Sequence, residues 1–296
     1  MIISFLKKWT LPIAMIIGAL TYPIMVKLSF FTPFLIFTML LLTFCKVSPR
    51  KLRFKPLHAW LLLFQILVSI ILYVLIAPFN ELIAQASLIC IICPTATAAS
   101  VITDKLGGDA ASITTYTLVI NIVVAIYIPL VFPFITDSGD LSFIQSFGII
   151  MSRVFPLLVI PFILAWLLEM YSEKLHAIFL SYSGLAFYLW AISLAIVTAQ
   201  TIYAMVNHPA DGKTELLIAL VSLTICSLQF FIGKLLGTRY NDRIAGGQAL
   251  GQKNTILAIW ITQSYLNPLV SIGPGTYVLW QNIINSYQLW KKRKKG

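Results

Sequence analysis

Hydrophobic residues follow one another along this chain in long stretches, and short polar segments separate the stretches. A membrane-crossing α-helix needs roughly 20 apolar residues, and each stretch reaches about that length. The polar segments, such as SPRKLRFKP at 48–56 and TDSGD at 136–140, leave no room for a domain outside the membrane. The pattern predicts ten spans, at 10–28, 30–47, 57–78, 82–106, 110–135, 142–168, 177–206, 214–238, 242–265 and 267–290.

Composition supports a membrane protein and argues against a nucleic-acid-binding one. Of the 296 residues, 59% are hydrophobic and 10% are charged, whereas soluble domains carry roughly 25% charged residues. The net charge of +11 comes from basic residues at the ends of the apolar stretches, not from one continuous basic face. We therefore predict an all-α membrane protein whose surroundings are the lipid bilayer, with no nucleic-acid partner.

The basic residues also indicate the orientation. Among the 21 Lys and Arg residues, Lys27 and Lys213 fall in loops of one side, and Arg153 and Lys253 fall within spans. The others lie at the N terminus, in the alternate loops and in the KKRKK tail. By the positive-inside rule both termini are cytoplasmic, which predicts an even number of spans and a multi-pass protein of the inner or plasma membrane.

Ten spans divide into two halves of similar length. Residues 1–138 and 139–296 each hold five predicted spans within a single membrane domain. An odd number of spans per half makes the second half enter the membrane from the opposite face. The expected architecture is therefore two inverted five-helix repeats.

The fourth span of each half carries residues that interrupt helices. Pro94 stands among small polar residues in the first, and the second has Gly246, Gly247 and Gly251 before a Gln-Lys-Asn run. A helix broken inside lipid frees backbone groups that cost several kcal/mol each unless they find partners. Two broken helices in corresponding positions predict a midplane binding site, where half-helix N termini attract anions.

Three short motifs resemble those of a known family. They are CPTATAAS at 93–100, GQKNTILA at 251–258, and a Pro-Gly followed by Trp-x-Asn at Pro274, Gly275, Trp280 and Asn282. In this order they resemble the bile acid:sodium symporter family. The resemblance implies ten helices in inverted repeats, with helices 4 and 9 broken where they cross, and secondary active transport of a small organic anion by alternating access.

The departures from the family concern its sodium sites. The family's acidic residue in helix 9 is Ala249 here, its Gln before the Asn is Lys253, and its polar pair in helix 4 is replaced by Ala99 and Ser100. All ten acidic residues lie near span ends. Sodium remains a possible coupling ion, but the resemblance implies eroded sodium sites.

A lysine at the bilayer centre costs about 3 kcal/mol or more, so Lys253 is expected to have a role. We predict that its ammonium group replaces sodium, held by Gln65, Ser100 or Thr117 and by freed carbonyl groups. Transport would then be independent of sodium. Two alternatives stay open: the lysine exchanges a proton during transport, or its fixed charge binds the substrate anion.

The candidate site residues form three sets. The predicted substrate-binding residues are Thr97, Ser100, Asn254, Thr255, Gln281 and Asn282. The predicted coupling or sodium-site-equivalent residues are Gln65, Ser100, Thr117, Ala249, Gln252 and Lys253. The predicted helix breaks are at Pro94 and Gly251. Hydroxyl groups bonded to their own helix and amides that join neighbouring helices are the structural alternatives, and the sequence identifies neither the substrate nor the oligomeric state.

Other functions have weaker support. The chain has no HExxH, acid dyad or G-x-S-x-G motif within its spans, so no catalytic residue is predicted and an enzyme is not expected. Cys90 and Cys93 have helical i, i+3 spacing but leave a zinc shell incomplete, so neither a metal nor a cofactor is predicted. The alternatives are a carrier similar to the arsenite exporter family, from which the position of Cys93 before Pro94 departs, and a membrane sensor that has lost transport.

Overall fold

The protein forms helices almost throughout. The structure, a computed structural model, describes residues 2–48, 52–136, 141–207 and 211–294, with side chains from Trp9 onward. The predicted repeat boundary at 138/139 and part of each polar segment lie outside these ranges. The α-helices are α1 Ile2–Leu20, α2 Tyr22–Met25, α3 Thr32–Phe44, α4 Pro56–Ile76, α5 Glu81–Ile92, α6 Ala99–Leu106, α7 Ala110–Val131, α8 Phe143–Tyr171, α9 Glu173–Ser181, α10 Leu185–Asn207, α11 Gly212–Arg239, α12 Arg243–Gly251, α13 Thr255–Tyr265 and α14 Ile272–Arg293.

Helix length and composition make this a multi-pass membrane protein. In the described ranges, six helical runs are long and apolar enough to cross a membrane: Tyr22–Phe44, Pro56–Ile76, Ala110–Phe134, Phe143–Tyr171, Glu173–Asn207 and Gly212–Arg239. The helices Trp9–Leu20 and Glu81–Ile92 are apolar but shorter. The prediction of an all-α membrane protein is confirmed.

The predicted spans and the helices differ in places that have physical reasons. The fourth and ninth predicted spans are each divided into two short helices, α5 with α6 and α12 with α13. The tenth, α14, has 22 residues but carries several polar side chains and three basic residues in its last turn. The first helix ends at Leu20 instead of continuing to 28, and Pro23 lies at the start of the next helix.

Polar side chains lie inside the bundle together with an apolar core, and many large apolar side chains lie on its surface. Gln65, Gln248 and Lys253 are each at most 2% exposed, whereas Phe79 and Ile144 are 88% and 78% exposed. A soluble protein seldom exposes many such apolar side chains together. Lipid is the surrounding medium that suits this surface.

The helices pack in two groups. In one group, α1 and α3 pack against α10, and α8 packs against α3. In the other, α4 packs against α5, and α11 packs against α5, α12 and α14. Helices α5 and α12 lie in this second group, α6 packs against α7, α12 and α14, and α13 packs against α10 and α14. The breaks are therefore surrounded by helices.

An ion-pair cluster ties together the beginnings of α4, α7 and α12. The Lys55 ammonium group lies 2.7 Å from a carboxylate oxygen of Asp109 and 3.2 Å from one of Asp242. Asp109 also caps α7, because its other oxygen accepts hydrogen bonds from the backbone N–H groups of Ala111 and Ser112. The hydrogen bond from Lys55 lowers the pKa of the Asp109 carboxyl; burial opposes this, and the two N–H groups add to it.

This cluster predicts an acid-dependent contribution to stability. The lowered pKa means that the charged Asp109 stabilises the fold above its unfolded pKa near roughly 4 and that this contribution is lost as the pH falls through the folded pKa. We expect Asp109→Asn to lower the free energy of unfolding by about 0.5 to 1 kcal/mol at pH 7, since both partners are well exposed. Thermal unfolding in detergent at pH 7 and pH 3 measures the difference, which should be smaller at pH 3 than at pH 7. Glu173→Gln is the control, and an Asp109→Asn effect that is the same at both pH values would contradict the assignment.

Candidate functional site

The first interrupted helix breaks at Pro94. Helix α5 ends at Ile92, Cys93 adopts extended backbone with a ψ of 136°, and α6 begins at Ala99. Proline has no N–H to continue the helix, and its ring pushes the preceding residue out of the helical conformation. The residue types at 93 and 94 therefore account for the break directly.

The second interrupted helix breaks after Gly251. Helix α12 ends at Gly251, Gln252 is extended, and α13 begins at Thr255. The side-chain oxygen of Asn254 accepts a hydrogen bond from the Leu257 N–H at 3.3 Å and so caps α13. A Cβ atom on Gly251 would collide with the ring of Phe230, so glycine is required for α12 to lie this close to α11.

The two breaks meet and pair with each other. Thr95 and Lys253 form an antiparallel bridge. The Ala96 N–H donates to the carbonyl of Gln252 at 2.9 Å, and the Asn254 N–H donates to the carbonyl of Pro94 at 2.8 Å. The backbone groups that each break frees are thus partly satisfied by the other break.

Four consecutive carbonyl groups where α5 ends, those of residues 90–93, accept hydrogen bonds from three side chains of other helices. A helix leaves its C-terminal carbonyl groups without intrahelical donors, and in lipid these need partners. The bonds are Gln229 Nε2 to Cys90 O at 3.1 Å, Lys253 Nζ to Ile91 O at 2.8 Å, and Gln65 Nε2 to Ile92 O at 2.9 Å and Cys93 O at 3.0 Å.

The side-chain nitrogen of Lys253 lies at the C-terminal, partially negative end of the α5 dipole. The side chain is 2% exposed, and its ammonium group donates to Ile91 O. Within the described residues both ion pairs belong to Lys55, so Lys253 has no carboxylate partner there. The partial negative charge of the helix C terminus is the favourable interaction that the structure offers to the ammonium group.

Tyrosine and glutamine side chains hold the second break in place. The Tyr277 hydroxyl donates to Gly251 O at 3.0 Å, and the Thr95 hydroxyl donates to Ala249 O at 2.7 Å. The Gln281 side chain binds both sides of Lys253, accepting from its N–H at 2.7 Å and donating to its carbonyl at 3.3 Å. These bonds fix the backbone from which the Lys253 side chain extends.

A cavity of about 340 Å³ lies between α3, α6 and α7. Thr97, Ser100 and Thr117 line it, and Lys46 and Asp104 contribute charged groups. The beginning of α6 therefore faces this cavity, and the positive end of a helix dipole favours an anion there.

A second cavity of about 550 Å³ lies between α3, α8, α10 and α13. Arg153, Trp260 and Gln263 are among its lining residues. Because the two breaks pair in antiparallel fashion, α6 and α13 leave the crossing in opposite directions. Each cavity is thus lined by the second half of one broken helix.

The predicted substrate-binding residues lie in different places. Thr97 and Ser100 line the first cavity. The other four are not among the residues that line either of these two cavities. Asn254 caps α13, the Thr255 side chain is buried, Gln281 binds the Lys253 backbone, and Asn282 donates to Val278 O at 2.6 Å.

The side chains predicted to hold Lys253 have other partners. Gln65 binds the carbonyl groups of the first break and accepts a hydrogen bond from Tyr116 at 2.8 Å. Ser100 and Thr117 donate their hydroxyl hydrogens to backbone carbonyl groups three or four residues earlier. A freed carbonyl group, that of Ile91, is the partner of the ammonium group. Of the remaining coupling residues, Ala249 and Gln252 accept hydrogen bonds through their backbone carbonyl groups at the crossing.

Three residues that the sequence analysis did not single out belong to this framework: Gln229, Tyr116 and Tyr277. A glutamine in the middle of an apolar span is a recognisable signal, because its amide needs partners in lipid, and Gln229 could have been found in this way. Tyrosines are common in membrane helices, so Tyr116 and Tyr277 offer no such signal.

The fold and the site together define a class: a multi-pass α-helical membrane protein with two interrupted helices that pair inside the bundle around a buried lysine. No family model matches the chain, and no curated protein is significantly similar to it.

Proposed function

We propose that this chain is a secondary active transporter of a small organic anion, similar in design to the bile acid:sodium symporter family, and not an enzyme. The observation that carries the proposal is the buried Lys253 ammonium group at the crossing of two broken helices, bonded to Ile91 O at 2.8 Å. Uncompensated charges inside membrane proteins are costly and typically mark transport pathways.

The proposed architecture is ten crossing segments in two inverted repeats. Some helix contacts support it, because they repeat when α1, α3, α4, α5–α6 and α7 are exchanged for α8, α10, α11, α12–α13 and α14, whereas the packing of α11 on α14 has no counterpart of similar extent between α4 and α7. The pair α4–α5 then corresponds to α11–α12, α1–α10 to α8–α3, and α5–α14 to α12–α7, and all six contacts are present. Such exchange symmetry is expected of inverted-repeat transporters.

Side chains support the same correspondence. Tyr116 of α7 donates to Gln65 of α4, and Gln229 of α11 donates to Tyr277 of α14. Under the exchange, α4 corresponds to α11 and α7 to α14. Each proposed repeat thus has a glutamine and tyrosine pair beside the breaks.

The ammonium group of Lys253 takes the place of a sodium ion in this proposal. Its support is chemical: the group lies against a carbonyl oxygen freed by a helix break, the kind of ligand that sodium uses in such transporters. By resemblance, Gln65 occupies a sodium-ligand position. Its side-chain amide instead donates to the carbonyl groups of Ile92 and Cys93 and accepts a hydrogen bond from the Tyr116 hydroxyl. A fixed charge in this position removes the need for the ion.

The substrate in this proposal is an anion that enters the cavity beside Thr97 and Ser100. The N terminus of α6 favours negative charge there, whereas the opposite charges of Lys46 and Asp104 in the same lining offset each other. Phe44, Val47 and Leu118 line the same cavity, so an anion with an apolar part is expected. Access would alternate between this cavity and the one lined by α13, with both termini of the chain in the cytoplasm and the protein in the inner or plasma membrane.

Sodium dependence tests the proposal. A thermal-shift screen of monocarboxylates of increasing size identifies a ligand, whose uptake into proteoliposomes is then measured in sodium and in potassium buffers. We expect initial rates that agree within about twofold, because the Lys253 charge replaces the ion. Uptake that requires sodium would exclude this role for Lys253, and ligand binding without any flux would indicate a sensor instead.

The carrier of arsenite type has less support. Arsenite chemistry would use an accessible thiol, whereas Cys93 is fully buried and its thiol donates to Asn254 O at 3.0 Å. The described residues also hold no group of three or more His, Cys, Asp or Glu side chains suited to a metal ion. An organic anion therefore suits this site better.

A further inference from the structure

Three basic side chains from three helices converge at one end of the bundle. Lys234 extends from α11, Arg243 begins α12, and Lys291 lies in the last turn of α14. The Lys234 stem lies against Gly247, where a Cβ atom would be 2.6 Å from Lys234 Cγ. Arg243 lies against the next turn of α11, where a Cβ atom on Gly237 would be 3.0 Å from Arg243 Cα. Helix α14 runs alongside α11, since Ser222 forms hydrogen bonds with Thr276 and Trp280, and the same register places Lys291 level with Lys234. We call these three residues the basic triad.

The basic triad has no acidic partner on the helices that form it. Helices α12 and α14 contain no Asp or Glu, and Glu215 lies at the other end of α11. Asp242, next to Arg243, lies 3.2 Å from the Lys55 ammonium group instead. Three neighbouring positive charges repel one another unless an anion lies between them.

The surface beside the basic triad is apolar and aromatic. On α11, Leu228, Phe231 and Leu235 are 49%, 64% and 52% exposed and follow one helix face. On α14, Tyr287 and Trp290 are exposed beside Lys291. Aromatic residues concentrate where a membrane helix passes the headgroups. Lys234 lies five residues before the end of α11, roughly 7 Å along the axis, which is the depth of a headgroup.

We propose that the basic triad binds the phosphodiester headgroup of an anionic phospholipid of the cytoplasmic leaflet. The acyl chains of this lipid lie along the α11 face formed by Leu228, Phe231 and Leu235. A basic pocket between membrane helices on the cytoplasmic side is the usual setting for such lipids. A free phosphate ion would use the charges but not the adjoining apolar face.

Binding of phosphatidylglycerol in mixed micelles tests the site. Each cation near an anionic headgroup contributes about fivefold to affinity. We expect phosphatidylglycerol to bind wild-type protein at least tenfold more tightly than phosphatidylcholine with the same acyl chains. The double variant Arg243→Gln/Lys291→Gln should weaken phosphatidylglycerol binding about 25-fold, and adding Lys234→Gln should weaken it further.

The control removes the same charge elsewhere. Lys174→Gln/Lys213→Gln changes two exposed lysines outside the basic triad and should leave the Kd within twofold of wild type. Both double variants involve exposed side chains, and a thermal midpoint near that of wild type verifies their folding. Equal binding of the two lipids, or unchanged binding in the Arg243→Gln/Lys291→Gln variant, would overturn the proposal. If glycerol phosphate displaced phosphatidylglycerol at a concentration equal to the Kd of the lipid, the basic triad would be a site for a free anion instead.

Discussion

Replacing Lys253 by methionine is expected to lower anion transport on the order of 100-fold without lowering the stability of the protein. Lys253 does not line the cavity proposed for the anion, so its charge acts on the anion from behind that lining. A charge interaction of about 3 kcal/mol, which an effective dielectric constant of roughly 20 gives at about 5 to 6 Å, corresponds to that factor. Methionine has a similar length and adapts to irregular cavities. The substitution therefore removes the charge with little change in packing.

The stability expectation depends on which of two costs is larger. Without Lys253, the Ile91 carbonyl loses its donor, and an unsatisfied buried group costs about 1 to 3 kcal/mol. The wild-type protein instead keeps a charge that is 2% exposed and has no described carboxylate partner, at a cost of several kcal/mol. The second cost is larger, so the thermal midpoint of Lys253→Met should equal or exceed that of wild type.

Uptake into proteoliposomes and thermal unfolding in detergent measure the two effects separately. Lys213→Met is the matched control, because Lys213 is an exposed lysine at the start of α11, and neither quantity should change. Wild-type uptake by Lys253→Met would exclude a transport role for the lysine. A fall of about 10 °C or more in the thermal midpoint would make Lys253 a structural donor to the first break.

The positions of the breaks could be predicted because they depend on local chemistry. Pro94 ends α5 through its own ring and through the restriction that it imposes on Cys93. Asn254 is a favoured N-cap residue, and it begins α13 as such residues do. No information about distant parts of the chain is needed for either conclusion.

The partners at the crossing could not be predicted in the same way. Lys253 and Ile91 are 162 positions apart, and their contact depends on the register in which two breaks pair. An amide such as that of Gln65 can bind an ion or cap a carbonyl group equally well, and here it caps. The hydroxyl of Thr117 likewise donates its hydrogen bond to a carbonyl group of its own helix. Such choices are set by the packed surroundings and not by residue type.

The packing of α11 against α12 also depends on residues that look unremarkable in the sequence. Gly233 and Gly237 lie one helical turn apart on α11, in the small-xxx-small spacing that lets membrane helices approach closely. Gly246 of α12 faces both of them, and a Cβ atom on Gly246 would collide with the Gly233 carbonyl and lie 2.9 Å from Gly237 Cα. The sequence analysis assigned Gly246 to a broken helix and did not single out Gly233 or Gly237, whereas Gly246 contacts both of them across the two helices.

Gly246→Ala is therefore expected to destabilise the protein by about 3 kcal/mol, the upper part of the usual range for overpacking. The three atoms nearest to the new methyl group all belong to the backbone of α11, so the two helices must separate to accommodate it. Because α12 ends at the break that carries Lys253, the separation should also lower anion uptake. Thermal unfolding and proteoliposome uptake measure both effects.

Gly148→Ala provides the contrast that makes this expectation specific. A Cβ atom on Gly148 has nothing within 4 Å, and alanine favours a helix interior over glycine by up to about 1 kcal/mol. This variant should therefore be as stable as wild type or slightly more stable. Gly247→Ala is intermediate, since its methyl group would meet the flexible Lys234 side chain and not backbone. If all three variants lost stability to the same extent, the cost would come from any Gly→Ala change and not from this contact. If none of them lost stability, α11 and α12 would not pack backbone to backbone.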